Sequence, residues 1–556
     1  MRGSWAAALV LLAGLAGCLA DEEPGDGNGT PDPARLDHGP GFDYAAVDSK
    51  GLPVPLPLCR PLLGDEGHLH DASPEGLRCN LEMTPDEGRQ GNEVTIAVNP
   101  KDPRNIVGGA KDYYPADAGD CVWDGVYVTH DGGATAFEDR SFDGSPWRLA
   151  QGDVQGFRPN YASQFWCTTD PVAYFDVNGD LYYLLMAYQA DPVTGGKTGE
   201  DVLPQGGLND WAFNRAVQIV AISDDGGDTF HTFSPVLEGS YPVAFHDKGW
   251  LAASDDGTVH VGWLAFVEGN VYFRSTDGGQ TWTDPVLMAP FASVDEETTG
   301  VAGGQGTFVD VGPGPEVYYS WAGGSGIALR RSTDRGATWD DARIVMDMVP
   351  TEMENGLSPR DRRDLQFPAL ATDRNPASPL AGAVYFAWQD GRNGDADILF
   401  TASLDGGETF MDAVRVDGDR TGAFQFFPAV SVSPGGVVDV TWLDMRSDPG
   451  GHRIDQYFAY SLDGGRTWSD ALRVRDVVDA GWDPALSHHQ NGMVFIGDYI
   501  DIDSSWQAAH PVWPDSRSGE VVDVYAATLR RPMFAEGWDA EARAEAEQAI
   551  RAQTLG

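Results

Sequence analysis

Three short segments repeat the same reactive residue types at the same spacing. Each has a tryptophan, an aspartate two positions later and an arginine two positions after that. Side chains two positions apart in an extended strand share a face, so the Asp and Arg can pair with each other and stiffen a loop. Alternatively, the arginines bind an anion, because a guanidinium fork matches a carboxylate. The segments are WQDGR (Trp388, Asp390, Arg392), WLDMR (Trp442, Asp444, Arg446) and WPDSR (Trp513, Asp515, Arg517).

An octapeptide repeat indicates the elements that position these residues. Its pattern is S/T-x-D-x-G-x-T-W/F, degenerate in the copy at Thr129. The aspartate caps backbone amides of a tight turn, the glycine takes the position with positive φ, the threonine bonds back across the hairpin and the aromatic ring packs beneath it. The structural aspartates of the copies are Asp131, Asp225, Asp277, Asp334, Asp405 and Asp463.

The sequence around each octapeptide predicts a blade of four antiparallel strands. One strand ends at the octapeptide, a second ends earlier in an aromatic residue, and an innermost strand precedes both. Seven such units recur, six of them with an octapeptide. We therefore predict an all-β fold, a β-propeller of seven blades, with six blades as the alternative. The seventh blade would take a strand from the segment that precedes the first.

Four carboxylates stand where we expect innermost strands to begin. In a propeller, these starts and the ends of the second strands open on one face around the central channel, where ligands bind. The three arginines should therefore lie on that face, opposite the octapeptide turns. The candidate ligand-binding residues are Glu93, Asp170, Asp247, Arg392, Arg446 and Arg517, with Asp498 as a further carboxylate.

The octapeptide resembles the Asp-box, or BNR, repeat of the sialidase superfamily, and the resemblance covers roughly residues 91–530. Sialidases of this superfamily hold a sugar carboxylate with three arginines and attack with a tyrosine assisted by a glutamate. By position, the resemblance implies Tyr499 and Asp498 as catalytic candidates. The family signature (F/Y)RIP is absent before the first octapeptide, where it would be expected. Two functions follow as hypotheses: recognition of extracellular glycans or proteins, and exo-acting glycoside hydrolysis, such as that of an exo-alpha-sialidase.

The amino terminus predicts export. Arg2 precedes an apolar run from Trp5 to Gly17 that is too short to span a bilayer, as in a secretory signal. The segment LAGC resembles the lipobox of prokaryotic lipoproteins, which implies lipidation of Cys18 and anchoring to the outer side of the cell membrane. The predicted organisation is 1–17 signal peptide, 18–41 acidic Gly/Pro-rich tether, 42–90 irregular strap, 91–530 propeller and 531–556 tail with a short helix.

The cysteine content and the net charge predict disulfides and limit the kinds of ligand and partner that the protein can bind. The four cysteines after Cys18 can form two disulfides in an oxidising compartment, and short loops favour Cys59–Cys79 and Cys121–Cys167. No ligand spacing predicts a metal site, and we expect no cofactor. The net charge of −48 argues against nucleic acid as a partner, because a phosphate backbone requires a basic surface. We expect a monomer that meets the membrane only through its lipid.

Overall fold

The computed structural model describes residues 80–84, 90–113, 122–140, 167–188, 216–239, 246–290, 301–351 and 366–530, with short internal gaps, and three short strands nearer the amino terminus. The gaps are 134–135, 266–267, 325, 449–451, 476, 478 and 491–492. The described part is built from β-strands and contains no helix long and apolar enough to cross a membrane. Cys18, Cys59, Cys79 and Cys121 lie outside these residues, and of Cys167 only the backbone strand is described. The predicted tail and tether also lie outside them.

Six four-stranded antiparallel sheets and a seventh sheet of six strands, four of which make the blade, form a seven-bladed propeller, as the repeats predict. The innermost strands are Gln90–Val98, Cys167–Phe175, His246–Ala253, Phe308–Val311, Ala369–Thr372, Gln425–Val432 and Asp501–Ser504. The second strands are Ile106–Tyr113, Leu181–Tyr188, Val259–Ala265, Val317–Gly323, Val384–Asp390, Val438–Asp444 and Ala508–Asp515. We number the blades 1 to 7 in this order.

The third strands are Val122–Thr129, Ala216–Ser223, Gly269–Ser275, Gly326–Ser332, Asp397–Ser403, Asp455–Ser461 and Asp523–Ala527. The outer strands are Glu138–Asp139, Thr232–Gly239, Val286–Pro290, Arg343–Asp347, Val414–Arg415, Leu472–Arg473 and Asn80–Glu82. Shorter pieces are the strands Leu56–Pro57, Leu62–Leu63, Leu69–His70, His489–Gln490, Met493–Val494 and Leu529–Arg530 and the 3-10 helix Pro484–Leu486.

The ring closes between blades 7 and 1. The outer strand of blade 7, Asn80–Glu82, precedes blade 1 in the chain and pairs antiparallel with Asp523–Ala527, which confirms the predicted borrowed strand. The innermost strands also bond across this junction: the backbone N–H of Val98 donates to Asp503 Oδ2 at 2.7 Å. Both ends of the propeller sequence contribute to blade 7. Hydrogen bonds between residues from the start and from the end of this sequence therefore close the ring.

The octapeptide turns make the local bonds that their residue types predict. Ser223 Oγ donates to Asp225 Oδ1 at 2.8 Å and accepts the N–H of Gly227 at 2.9 Å. Asp225 also accepts the N–H and the hydroxyl of Thr229 at 2.8 and 2.6 Å. Gly227 has a φ of 97°, which favours glycine. The same set of bonds occurs in the turns of Asp277, Asp334, Asp405 and Asp463.

Large aromatic side chains on the second strands fill the spaces between blades. Removing a buried ring of this size typically costs about 3–5 kcal/mol, so these residues are the main packing elements of the described core. The fully buried tryptophans on the second strands are Trp263, Trp321, Trp388, Trp442 and Trp513.

Candidate functional site

A small recess opens at the axis of the ring, where the innermost strands begin. Its walls come from blades that are far apart in the chain, and they carry ionisable groups together with one tyrosine ring. All four carboxylates predicted at strand starts line it. The ionisable residues that line it are Glu93, Asp170, Asp247, Lys248, Asp498 and Tyr499.

Backbone strain coincides with this recess. Glu93, Asp170 and Lys248 have φ angles of 49°, 61° and 25°, in the region that side chains other than glycine seldom adopt. In blades 1, 2 and 3 the register between the innermost and second strands shifts at these residues, which marks a β-bulge. A bulge redirects side chains that a regular strand would send to alternate faces. The bulges are therefore what brings these three side chains to the channel.

Blades 1 and 2 supply a cluster of carboxylates around one ammonium. Lys111 Nζ lies 3.0 Å from Glu93 Oε2, and both side chains are buried. Burial, and then the adjacent Glu93 carboxylate, raises the pKa of Asp170 to about 7. Burial also raises the pKa of Asp124 well above its usual range. Two acidic groups here consequently hold protons at or near neutral pH, which a general acid requires.

Lys248 lies within a cage of aromatic rings. Its Nζ is 3.9 Å from the centroid of the Tyr499 ring, and three further rings stand within 6 Å. The residue is only 6% exposed, and its Nζ has no hydrogen-bond partner among the described residues. Burial lowers the pKa of Lys248 to about 8 despite the opposing effect of nearby carboxylates. The cage rings belong to Tyr499, Trp250, Phe308 and Phe367.

Tyr499 and Asp498, the candidates implied by the resemblance, both lie in the recess wall. The hydroxyl of Tyr499 is buried and has no hydrogen-bond partner within the described part of the chain. Burial raises the pKa of Tyr499 well above its usual range, so the phenol is protonated near neutral pH. Across the recess, Gln305 Nε2 donates to Asp247 Oδ2 at 3.0 Å and orients that carboxylate.

The three predicted arginines are paired with the aspartates of their own segments. Arg392 Nε lies 2.7 Å from Asp390 Oδ1, and Arg446 Nη2 lies 2.6 Å from Asp444 Oδ2. Arg517 Nη2 lies 2.6 Å from Asp515 Oδ2. In each segment the tryptophan N–H also donates to the aspartate. None of the three arginines is among the described residues that line the recess.

These arginines do share a face, as the strand order requires. Each follows the end of a second strand, whereas each octapeptide turn follows a third strand, and antiparallel neighbours end on opposite faces. Two of the guanidiniums also contact the end of the preceding blade: Arg392 donates to the Asp347 carbonyl and Arg446 to the Asp417 carbonyl. The geometry supports a bracing role, and their role in ligand binding stays a prediction.

Sequence reasoning missed Lys111, Lys248 and Asp124. A usable signal existed, because only five of the 37 basic residues are lysines, and two of those five lie at the channel. Arginine stays charged in proteins, whereas a buried lysine can release its proton. The described residues contain no group of three or more His, Cys, Asp or Glu side chains arranged to hold a metal ion.

Comparisons with known proteins yield only distant structural likenesses. No family model matches the chain, and no curated protein does. A protein of unknown function from Dyadobacter fermentans is 15% identical over 68% of this chain and 97% of its own, with a TM-score of 0.40. The Hadza microbial sialidase Hz136 is 14% identical over 70% of this chain and 66% of its own, with a TM-score of 0.41. An alpha-L-arabinofuranosidase from Fusarium graminearum is 12% identical over 81% and 97%, with a TM-score of 0.40. At these values the likenesses carry no argument about activity.

Proposed function

We propose that this protein is a propeller that recognises an extracellular glycan through the recess at the centre of its ring. One observation carries the proposal: three residues in strained left-handed conformations, Glu93, Asp170 and Lys248, line a single recess. Such conformations cost about 1–3 kcal/mol each and cluster at functional sites. Carboxylates accept hydrogen bonds from sugar hydroxyls, an ammonium donates to them, and a tyrosine ring packs on the sugar face.

The proposal also includes the location of the protein in the cell. We propose that the chain is exported, lipidated at Cys18 and held on the outer side of the cell membrane. The hydrogen bonds of the octapeptide turns are those that an Asp-box would make, which supports a sialidase-like, BNR-type propeller. A protein ligand in place of a glycan is the alternative occupant of the recess.

A second candidate function, exo-acting glycoside hydrolysis, is favoured by the two carboxyl groups of blades 1 and 2. That reaction needs one protonated carboxyl as general acid and one carboxylate as base or nucleophile. Asp170, with its pKa raised by burial to about 7, suits the first role. Glu93, paired with the Lys111 ammonium, suits the second. Tyr499 and Asp498 would then contact the substrate.

Binding and turnover by the full chain test both functions. We expect binding on an array of neutral, acidic and sialylated glycans, weakened by Glu93→Gln and unaffected by replacement of the exposed Asp284 with asparagine. An array without any bound glycan would contradict the proposal. Release of nitrophenol from aryl glycosides tests hydrolysis, and Asp170→Asn should then reduce turnover by about 10²–10⁴-fold while binding persists. Binding without any turnover would leave recognition as the function.

A further inference from the structure

The charge of the recess indicates which glycans it accepts, if the proposed function holds. Four acidic side chains, those of Glu93, Asp170, Asp247 and Asp498, border the space, of which Asp170 is partly protonated near neutral pH, and the only described cation that lines it is Lys248. Lys111, the second nearby ammonium, is already paired with Glu93. Negative groups therefore outnumber positive ones at the point where a ligand would lie. The net charge of −48 adds a field of the same sign.

The arginines that could offset the negative charge of the recess are already paired with other groups. Superficially, Arg392, Arg446 and Arg517 are on the correct face for binding an acidic sugar. Each guanidinium instead contacts its own aspartate, whose carboxylate is fully buried. Moving Arg392 or Arg446 to a ligand would leave its aspartate buried without that cationic partner, which typically costs about 3–5 kcal/mol. Asp515 would keep Arg475, whose Nε lies 2.7 Å from it, but Arg517 would lose its bonds to Asp515 and to Asn80 Oδ1. Recruitment of these arginines by an anionic ligand is thus energetically unfavourable.

The ammonium of Lys248 gives a second observation on the ligand, because it is a buried donor that lacks an acceptor within the described part of the chain. The residue lines the recess, and its Nζ is buried and has no hydrogen-bond partner among the described residues. An ammonium has three donors, and a buried donor without an acceptor is unfavourable. The aromatic cage stabilises its charge but accepts no conventional hydrogen bond. A ligand oxygen would supply the missing acceptor, while the surrounding carboxylates accept hydrogen bonds from adjacent hydroxyls.

We propose that the recess recognises uncharged sugars, with Lys248 donating to a sugar oxygen, and that it discriminates against sugars that carry a carboxylate or sulfate. A hydroxyl is both donor and acceptor, so vicinal hydroxyls can bridge the ammonium of Lys248 and a neighbouring carboxylate such as that of Asp247. A carboxylate or sulfate on the ligand can satisfy only the ammonium and is repelled by the acidic wall.

The test compares glycans that differ only in charge. Methyl glycosides and oligosaccharides of glucose, galactose and mannose are arrayed beside the corresponding uronates, with sialylated and sulfated glycans included, and dissociation constants of the bound ones are measured with the full chain. We expect uncharged members to bind and their uronates to bind at least tenfold more weakly. Equal or tighter binding of an anionic member overturns this inference but leaves glycan recognition standing. Absence of all binding contradicts the proposed function itself.

A matched pair of variants tests the role of Lys248. Lys248→Met keeps a flexible apolar chain in the aromatic cage and removes the donor, whereas Lys101→Met alters an exposed lysine. We expect the first to weaken binding of the uncharged glycan at least tenfold and the second to leave it unchanged, with melting temperatures recorded for both. Unchanged affinity in a folded Lys248→Met protein would refute the role given to this residue.

Discussion

Asp170 offers a direct test of the electrostatics at the channel. Asp170→Asn removes the titratable carboxyl and preserves its shape. The pKa of this carboxyl rises from 3.8 to about 7 on folding, mainly through burial. A pKa that folding raises stabilises the protein at low pH, and that contribution disappears as the pH rises through the folded-state value. A difference of roughly three pKa units corresponds to about 4 kcal/mol.

We therefore expect the wild type to lose up to about 4 kcal/mol of unfolding free energy, relative to Asp170→Asn, between about pH 4 and pH 8. Urea unfolding of both proteins across this range measures the difference. Buried carboxyls remote from Asp170 titrate in both proteins and cancel in the comparison, whereas the pKa of Asp124, which burial and then the Asp170 charge raise, should fall in the variant. Asp284→Asn, at an exposed position, is the matched control for loss of one carboxyl. A stability difference between wild type and Asp170→Asn that stays constant with pH would refute the assignment of a raised pKa to Asp170.

Three further outcomes follow from the remaining features. Arg446→Ala should lower the unfolding free energy by about 3–5 kcal/mol, because it leaves the buried Asp444 carboxylate without its guanidinium. The affinity for glycans should not change. An unchanged melting temperature together with lost affinity would contradict the bracing role. Mass spectrometry of the alkylated, unreduced protein should detect a Cys121–Cys167 disulfide, which closes a loop of about 45 residues and contributes roughly 3–4 kcal/mol; free thiols at both positions would disprove it. Cys18→Ser should transfer the protein from the membrane fraction to the medium, and its retention on membranes would exclude lipidation.

The blade architecture could be predicted because its determinants are local. In the turn of Asp225, the bonds run from Ser223 and to Thr229, all within one octapeptide. Such turns form from a few neighbouring residues, so their recurrence identifies hairpins without knowledge of the tertiary contacts. The Asp–Arg pairing of the WQDGR-type segments is local in the same sense, as Asp390 and Arg392 illustrate. Sequence reasoning kept that pairing as one of two alternatives.

The sequence by itself therefore determined the strand order, the turns and the four carboxylates at the channel, since each depends on the repeat pattern. Only the tertiary structure decided the chemistry of the recess. Asp247 and Lys248 are adjacent and would face opposite ways in a regular strand, yet both line the recess because the chain bulges there with a positive φ at Lys248. Likewise, Lys111 meets Glu93 through sheet pairing, and the ring brings Tyr499 to Lys248 across 251 positions of sequence. Ring closure, which no local pattern encodes, creates that proximity.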